Sequence, residues 1–262
     1  MKTRSSHRLS FFLFCILLFV AISTKAQKLP NLQPSSLQVP LSIKIDGNAT
    51  EWGNKYQAYN HNTDVAYTIA NDAQYLYFVI RATNTEIIKK ILKGGITISA
   101  NAKEKSFFGD AQSFCFPFIN PSQQAPLFST LDEVKEDLKS SFHQKDSLVK
   151  AFNNYLLSVS KDIKVAHQRD SVLSIYNDKQ LLVAGALNNN GALIYEFRIP
   201  LSILNMAYQK SSTLYYNIKL TGQAALPKIR PIGVGVVAVQ TVEVTALSLY
   251  MPTDFWGTYQ LF

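Results

Sequence analysis

TDVAYTIANDAQYLYFVIRA, residues 63–82, decides the fold. Two runs within it, 63–70 and 75–82, are rich in Val, Ile, Tyr and Phe, side chains that suit a pleated, half-buried surface. Asn71-Asp72 between them tolerates the left-handed backbone of a tight turn, so the stretch predicts a β-hairpin.

Upstream, residues 41–45 (LSIKI) alternate apolar and polar as a half-buried strand does, and Asp46-Gly47 supplies a turn, with Trp52 following Glu51. Residues 27–40 carry three prolines and three glutamines without an apolar period and read as an extended lead-in, which starts the folded domain near Leu41. Downstream, 85–92 predicts a short helix, with Thr85 as N-cap and Gly94 as stop. Strands are expected at 96–100, 111–118, 163–175, 180–187, 192–199, 213–221, 234–249 and 255–261.

One interruption stands out. Leu131, Val134, Leu138, Phe142, Val149, Phe152 and Leu156 recur at helical spacing, and Thr130 with Glu133 has the form of a capping box, so a helical insertion is expected over about 130–158. Many short strands with turn signals and few helices predict a mostly β protein. The expected architecture is an antiparallel β-sandwich of immunoglobulin-like or jelly-roll-like layout, a single domain over 41–262.

The N-terminus reads as an export signal. Lys2, Arg4 and Arg8 precede an apolar run over 11–22, and the small-residue end Thr24-Lys25-Ala26 places cleavage after residue 26. The run is shorter than the roughly 20 residues of a membrane-spanning helix. Cys15 within it lacks the small residues that precede a lipidated cysteine. The expected destination is the periplasm or the cell exterior. Setting aside the four bases of this segment leaves 22 of the chain's 26 against 18 acids, a net charge of +4. No dense basic stripe is present, which excludes a nucleic-acid footprint. One cysteine, Cys115, remains, so the fold stands without an intramolecular disulfide.

Three local patterns occur in an order that resembles a known family. They are IDGNATEW (45–52 with the preceding strand), YTIANDAQYLYFVI (67–80) and YEFRIPLS (195–202), with Gly109-Asp110 as a weaker element and Trp256 in a closing strand. Together they resemble the sandwich of the family 9 carbohydrate-binding modules and their DOMON-type relatives. The segment KILKGGI (90–96) makes the chain similar to an uncharacterised exported bacterial branch of that group. The resemblance implies a non-catalytic binding module, with carbohydrate as the ligand class and an envelope-associated protein partner as the alternative. Some DOMON-type relatives hold haem, which makes Met206 and Met251 formal axial candidates, but no pairing motif accompanies them and no cofactor is expected. Related modules bind calcium. Asp46, Glu51 and Asp72 are possible donors, but turn roles suit them as well and no metal site is expected.

Sugars are held by stacking on exposed rings and by hydrogen bonds from amides, acids and arginine. The candidate ligand-binding residues are Tyr56 and Tyr59, in a polar segment with Asn54, Gln57, Asn60, His61 and Asn62, and Trp256 and Tyr259 near the C-terminus. Three of them have a competing structural role, Tyr56 and Tyr59 as loop tyrosines and Trp256 as a ring packed on the sandwich edge. Trp52 is expected to plug one end of the sandwich. No catalytic residue is expected: hydrolase motifs such as HExxH and GxSxG are absent, and His61, His143 and His167 are scattered. Cys115 lies between Phe114 and Phe116 and, by alternation, points away from them.

Overall fold

A short strand β1 (Ala58–Asn60) precedes the hairpin, which forms as β2 (Val65–Asn71) and β3 (Tyr75–Ala82). Its turn needs no left-handed residue. Asp72 accepts from the amides of Gln74 and Tyr75, each at 2.7 Å, so a side chain closes the turn. The structure is a computed structural model describing residues 28–103, 111–140, 144–166, 171–222 and 249–262. The export signal with Cys15, the Gly109-Asp110 pair, Phe142, His143, His167 and nearly all of the strand expected at 234–249 lie outside the described residues.

After β3 come helix α1 (Thr85–Gly94), β4 (Ile96–Asn101), β5 (Gln112–Phe116), helices α2 (Ala125–Asp137) and α3 (Lys145–Val159), β6 (Asp162–Ala166) and β7 (Ser171–Ser174). The order closes with β8 (Leu182–Leu187), β9 (Leu193–Pro200), β10 (Thr213–Leu220) and β11 (Thr253–Gln260). The described strands form two antiparallel sheets. Sheet 1 runs β1-β2-β3-β9-β8, and sheet 2 runs β11-β10-β4-β5-β6-β7. The protein is a mostly β antiparallel sandwich, as its alternating runs predict.

The inner faces meet through Tyr67, Phe78, Tyr195 and Phe197 from sheet 1 and Phe114, Phe116, Tyr216 and Phe255 from sheet 2. Tyr67 and Tyr216 join hydroxyls at 2.9 Å across the core, which satisfies two buried polar groups at once. Tyr216 lies over Gly257, its registered partner on β11, and Tyr195 lies over Gly185, its partner on β8. A methyl group at either glycine would sit 2.3 or 2.2 Å from the ring.

Several expectations change in detail. Residues 41–45 alternate but build no ladder. Ile43 and Ile45 instead pack on the outer face of sheet 1 with Ala49, Trp52 and Tyr56, so the alternation serves a covering segment. Trp52 therefore covers that face and does not plug an end of the sandwich. The lead-in is fixed well before Leu41. The Gln33 amide exchanges two hydrogen bonds with the backbone of Ile69, at 2.7 and 2.8 Å, and Leu37 and Val39 bond Asn71, which closes an open stretch of β2. The 163–175 run is a hairpin, β6 against β7, with Ile163 opposite Leu173.

The helical insertion starts at Ala125, five residues before Thr130, because Pro126 suits a first helical turn. Thr130 therefore sits inside α2. The first helix is capped by Asn84, whose side chain accepts from Glu86 N at 2.9 Å, and Thr85 is its first residue. α2 and α3 bury Leu131, Val134, Val149, Phe152 and Leu156 in the core. Asn153 on α3 exchanges hydrogen bonds of 2.7 and 2.9 Å with the backbone of Leu187, so the insertion also covers the edge strand β8.

Candidate functional site

Alternation along β9 puts Tyr195, Phe197 and Ile199 in the core and Glu196 and Arg198 on the outer face of sheet 1. Glu196 is 0% exposed, and its carboxylate is met by three donors from the IDG-and-Trp segment. Asp46 N and Gly47 N donate to Oε2 at 3.0 and 2.9 Å, and Trp52 Nε1 donates to Oε1 at 2.9 Å. Burial holds this carboxyl above the usual carboxylate range despite those donors. Two patterns far apart in sequence are thus halves of one structural clasp.

Arg198 shapes the neighbouring surface. Its guanidinium stacks 4.5 Å from the centre of the Tyr75 ring, and Nη2 donates to Gln180 Oε1 at 3.1 Å. Tyr75, at the start of β3, and Gln180, just ahead of β8, then wall a hollow of about 370 Å³ at one end of sheet 1. Gln74, Lys179, Ser202 and Tyr208 complete its polar lining, and Met206 contributes an apolar patch. Tyr208 is 40% exposed, and its hydroxyl donates to Phe262 O at 2.7 Å, which fixes the ring at the rim. The hollow rests on a firm base: Asp72 closes the turn before it, Tyr77 donates to Asp72 Oδ2 at 2.9 Å, and Leu201 N bonds Gln74 O at 2.9 Å.

The four aromatic residues singled out in the sequence do not converge. Tyr56 is 7% exposed, with the Arg81 guanidinium 4.5 Å from its ring centre; its hydroxyl finds no hydrogen-bond partner, and burial pushes its pKa up to about 12. Tyr259 is 3% exposed. Its hydroxyl accepts from Leu37 N at 3.1 Å and lies 3.0 Å from Asn71 Oδ1, pinning the lead-in to both sheets. Neither offers an open ring face, because the polar segment at 54–62 folds onto sheet 1 and β11 turns Tyr259 inward. Tyr59 is half-buried, donates to Asp64 Oδ1 and meets His61 edge-on at 5.0 Å. That bond to Asp64, with some burial, pushes its pKa up to about 12. Trp256 is also half-buried, but on the outer face of sheet 2, opposite Asn217. Tyr59 and Trp256 therefore lie on opposite sides of the sandwich.

The other candidates are also dispersed. Asp46 caps Asn48 N, Asp72 closes its turn and Glu51 accepts from Thr50, so the three acids serve separate turns. Among the described residues no group of His, Cys, Asp and Glu is gathered for a metal ion. Met206 lies by the hollow and Met251 is exposed ahead of β11, which begins at the opposite end of the sandwich. Cys115 faces outward from sheet 2 as alternation predicts, donates to Gly94 O at 3.4 Å, and has its thiol pKa raised by burial. Among the described residues no helix is long and apolar enough to cross a membrane.

Sequence reasoning missed the hollow because its walls come from positions 73–75, 179–180 and 200–208. Tyr75 read as an ordinary strand residue, and Tyr208 stands in a segment without periodicity. No family model matches the chain, and no curated protein matches it. Among solved structures the chain is similar to a family 9 carbohydrate-binding module from Caldicellulosiruptor kristjanssonii in complex with glucose. Identity is 10% and the TM-score 0.36, with 87% of this chain and 96% of that chain covered. The class of protein defined by fold and site is a two-sheet antiparallel sandwich with a small polar hollow at one end of a sheet.

Proposed function

We propose that the chain is an exported, non-catalytic module that binds carbohydrate in the hollow between Tyr75 and Tyr208. The observation that carries this reading is the convergence there of two tyrosines with Gln74, Gln180, Lys179 and Ser202 in one solvent-open concavity. Rings offer apolar faces to sugar C–H groups, while amides, a hydroxyl and an ammonium group pair with ring hydroxyls. At about 370 Å³ the hollow suits one or two sugar units. The helical insertion is spent on the core and on the edge of β8, which favours the carbohydrate reading over a partner docked through the insertion.

Glycan-array binding by the exported chain tests this directly. The expected result is binding of a soluble glycan with affinity lowered about tenfold or more by Tyr208→Ala, a truncation of one stacking ring. Tyr59→Ala and Trp256→Ala should leave it unchanged. Binding lost only in Trp256→Ala would move the site to sheet 2, and a silent array would favour an envelope protein as partner.

Export rests on the basic, apolar and small-residue order of residues 1–26. The expected product in an exporting host begins at Gln27, as read by intact mass. A product retaining Met1 in the membrane fraction would contradict cleavage.

A further inference from the structure

Among the described residues, three of the four sheet edges are guarded. β1 is bonded by the lead-in, Tyr59 N to Pro30 O at 2.9 Å, α3 covers β8 through Asn153, and β11 carries the exposed carboxylate of Asp254. Such devices keep the free N–H and C=O groups of an edge strand from pairing with another chain. β7, the last strand of sheet 2, has none of them. No charged residue and no proline lies between Ser171 and Tyr176, and Val172 is 55% exposed.

The register shows which groups this open edge presents. β6 and β7 pair Ile163 with Leu173 and Lys164 with Val172, and Ile175 N donates to Lys161 O at 2.9 Å one step beyond the ladder. Hydrogen-bonded positions alternate in an antiparallel pair. Ser171 and Leu173 therefore direct their backbone groups to β6, whereas Val172 and Ser174 turn N–H and C=O to the open side. Side chains alternate as well: Val172 and Ser174 stand on the outer face with Lys164, and Leu173 is half-buried against the core beside Ile163.

We propose that β7 is a self-association edge that takes β7 of a second copy of this chain, antiparallel, about a twofold axis beside Leu173. That axis sets Val172 opposite Ser174 of the second copy, and the reverse, so each outward N–H meets an outward C=O in two reciprocal pairs. Every backbone group that β7 leaves open is thereby used. Leu173 faces its own counterpart at the closer spacing of a non-hydrogen-bonded pair, and no opposed pair within β7 brings like charges together. The edge is thus complementary to itself, which is the condition for an isologous contact. A strand this short makes a contact of the small, transient class, below about 1,200 Å² in total, so the association is weak and concentration-dependent.

Sedimentation velocity of the folded exported chain, from low micromolar concentration upward, should show a monomer giving way to a dimer. Over the same range amide hydrogen exchange at Val172 and Ser174 should slow about threefold or more, the factor for two-thirds occupancy, while Leu173, already bonded to β6, stays the same. Val172→Pro removes an N–H that β6 does not use, so this variant should melt as wild type and remain monomeric. Val172→Lys with Ser174→Lys, and Val172→Glu with Ser174→Glu, set like charges opposite each other across the axis. Each double variant should be monomeric alone, and their equimolar mixture should dimerise. Exchange at Val172 and Ser174 that is independent of concentration, a dimer that survives Val172→Pro in natively melting protein, or charge variants that stay monomeric when mixed would each overturn the proposal.

Discussion

Glu196→Ala is expected to destabilise the protein by about 3 kcal/mol, because it orphans three donors at once. Asp46 N, Gly47 N and Trp52 Nε1 all converge on this one buried carboxyl. Without it the segment carrying Ile43, Ile45 and Trp52 loses its polar anchor on sheet 1 and keeps only its apolar contacts. Urea unfolding measures the loss. In a Trp256→Phe background, Trp52 emission should shift to the red before global unfolding. Glu196→Gln should cost less, about 1–2 kcal/mol, since its amide nitrogen must face a donor on one side. It also isolates a pH effect. Burial raises the folded-state pKa of Glu196 above its unfolded value, so the folded state binds the extra proton within that window. The contribution is therefore full below the unfolded pKa and is lost as pH rises through the folded one. Wild type should lose stability relative to Glu196→Gln on going from about pH 4 upward, and an unchanged difference from pH 4 to 7 would contradict a raised pKa.

Gly257→Val is expected to be the most damaging core substitution, costing about 3 kcal/mol or more. Even its Cβ would lie 2.3 Å from Cζ and Oη of Tyr216. The ring cannot retreat, because its hydroxyl is joined to Tyr67 and its edge packs on Phe78 and Phe255. Pairing with Tyr216→Leu should recover part of the loss, giving a coupling of about 1 kcal/mol or more in a double-mutant cycle. Additive losses, seen in denaturant midpoints, would show that the glycine is not placed for that ring.

What the sequence reveals, and what it hides, follows from the range of the interactions. The 63–82 hairpin was legible because its signals are local: two β-rich runs and a short turn. The alternation of Tyr195 to Ile199 was equally legible and correctly sends Glu196 outward. The partners of Glu196 were not, since Asp46, Gly47 and Trp52 lie 150, 149 and 144 residues away. The same limit hid the candidate site. Tyr56 and Tyr259 have the surroundings of exposed binding rings in a linear reading, yet one is packed onto the outer face of sheet 1, against Arg81, and the other turned in by strand register. Tyr208 carries no periodic signal at all and becomes informative only when the turn after β9 brings it beside Tyr75 and Gln180. Residues 41–45 show a third case, a true alternation that belongs to a covering segment whose hydrogen bonds run to a side chain and not to a neighbouring strand.

Backbone amide chemical-shift mapping, with the exported chain titrated by the tightest glycan from the array, tests the central claim most directly. Perturbations are expected to concentrate at residues 73–75, 179–180 and 200–208, the three segments that wall the hollow. Perturbations concentrated around Tyr59 or Trp256, with those three segments silent, would contradict it.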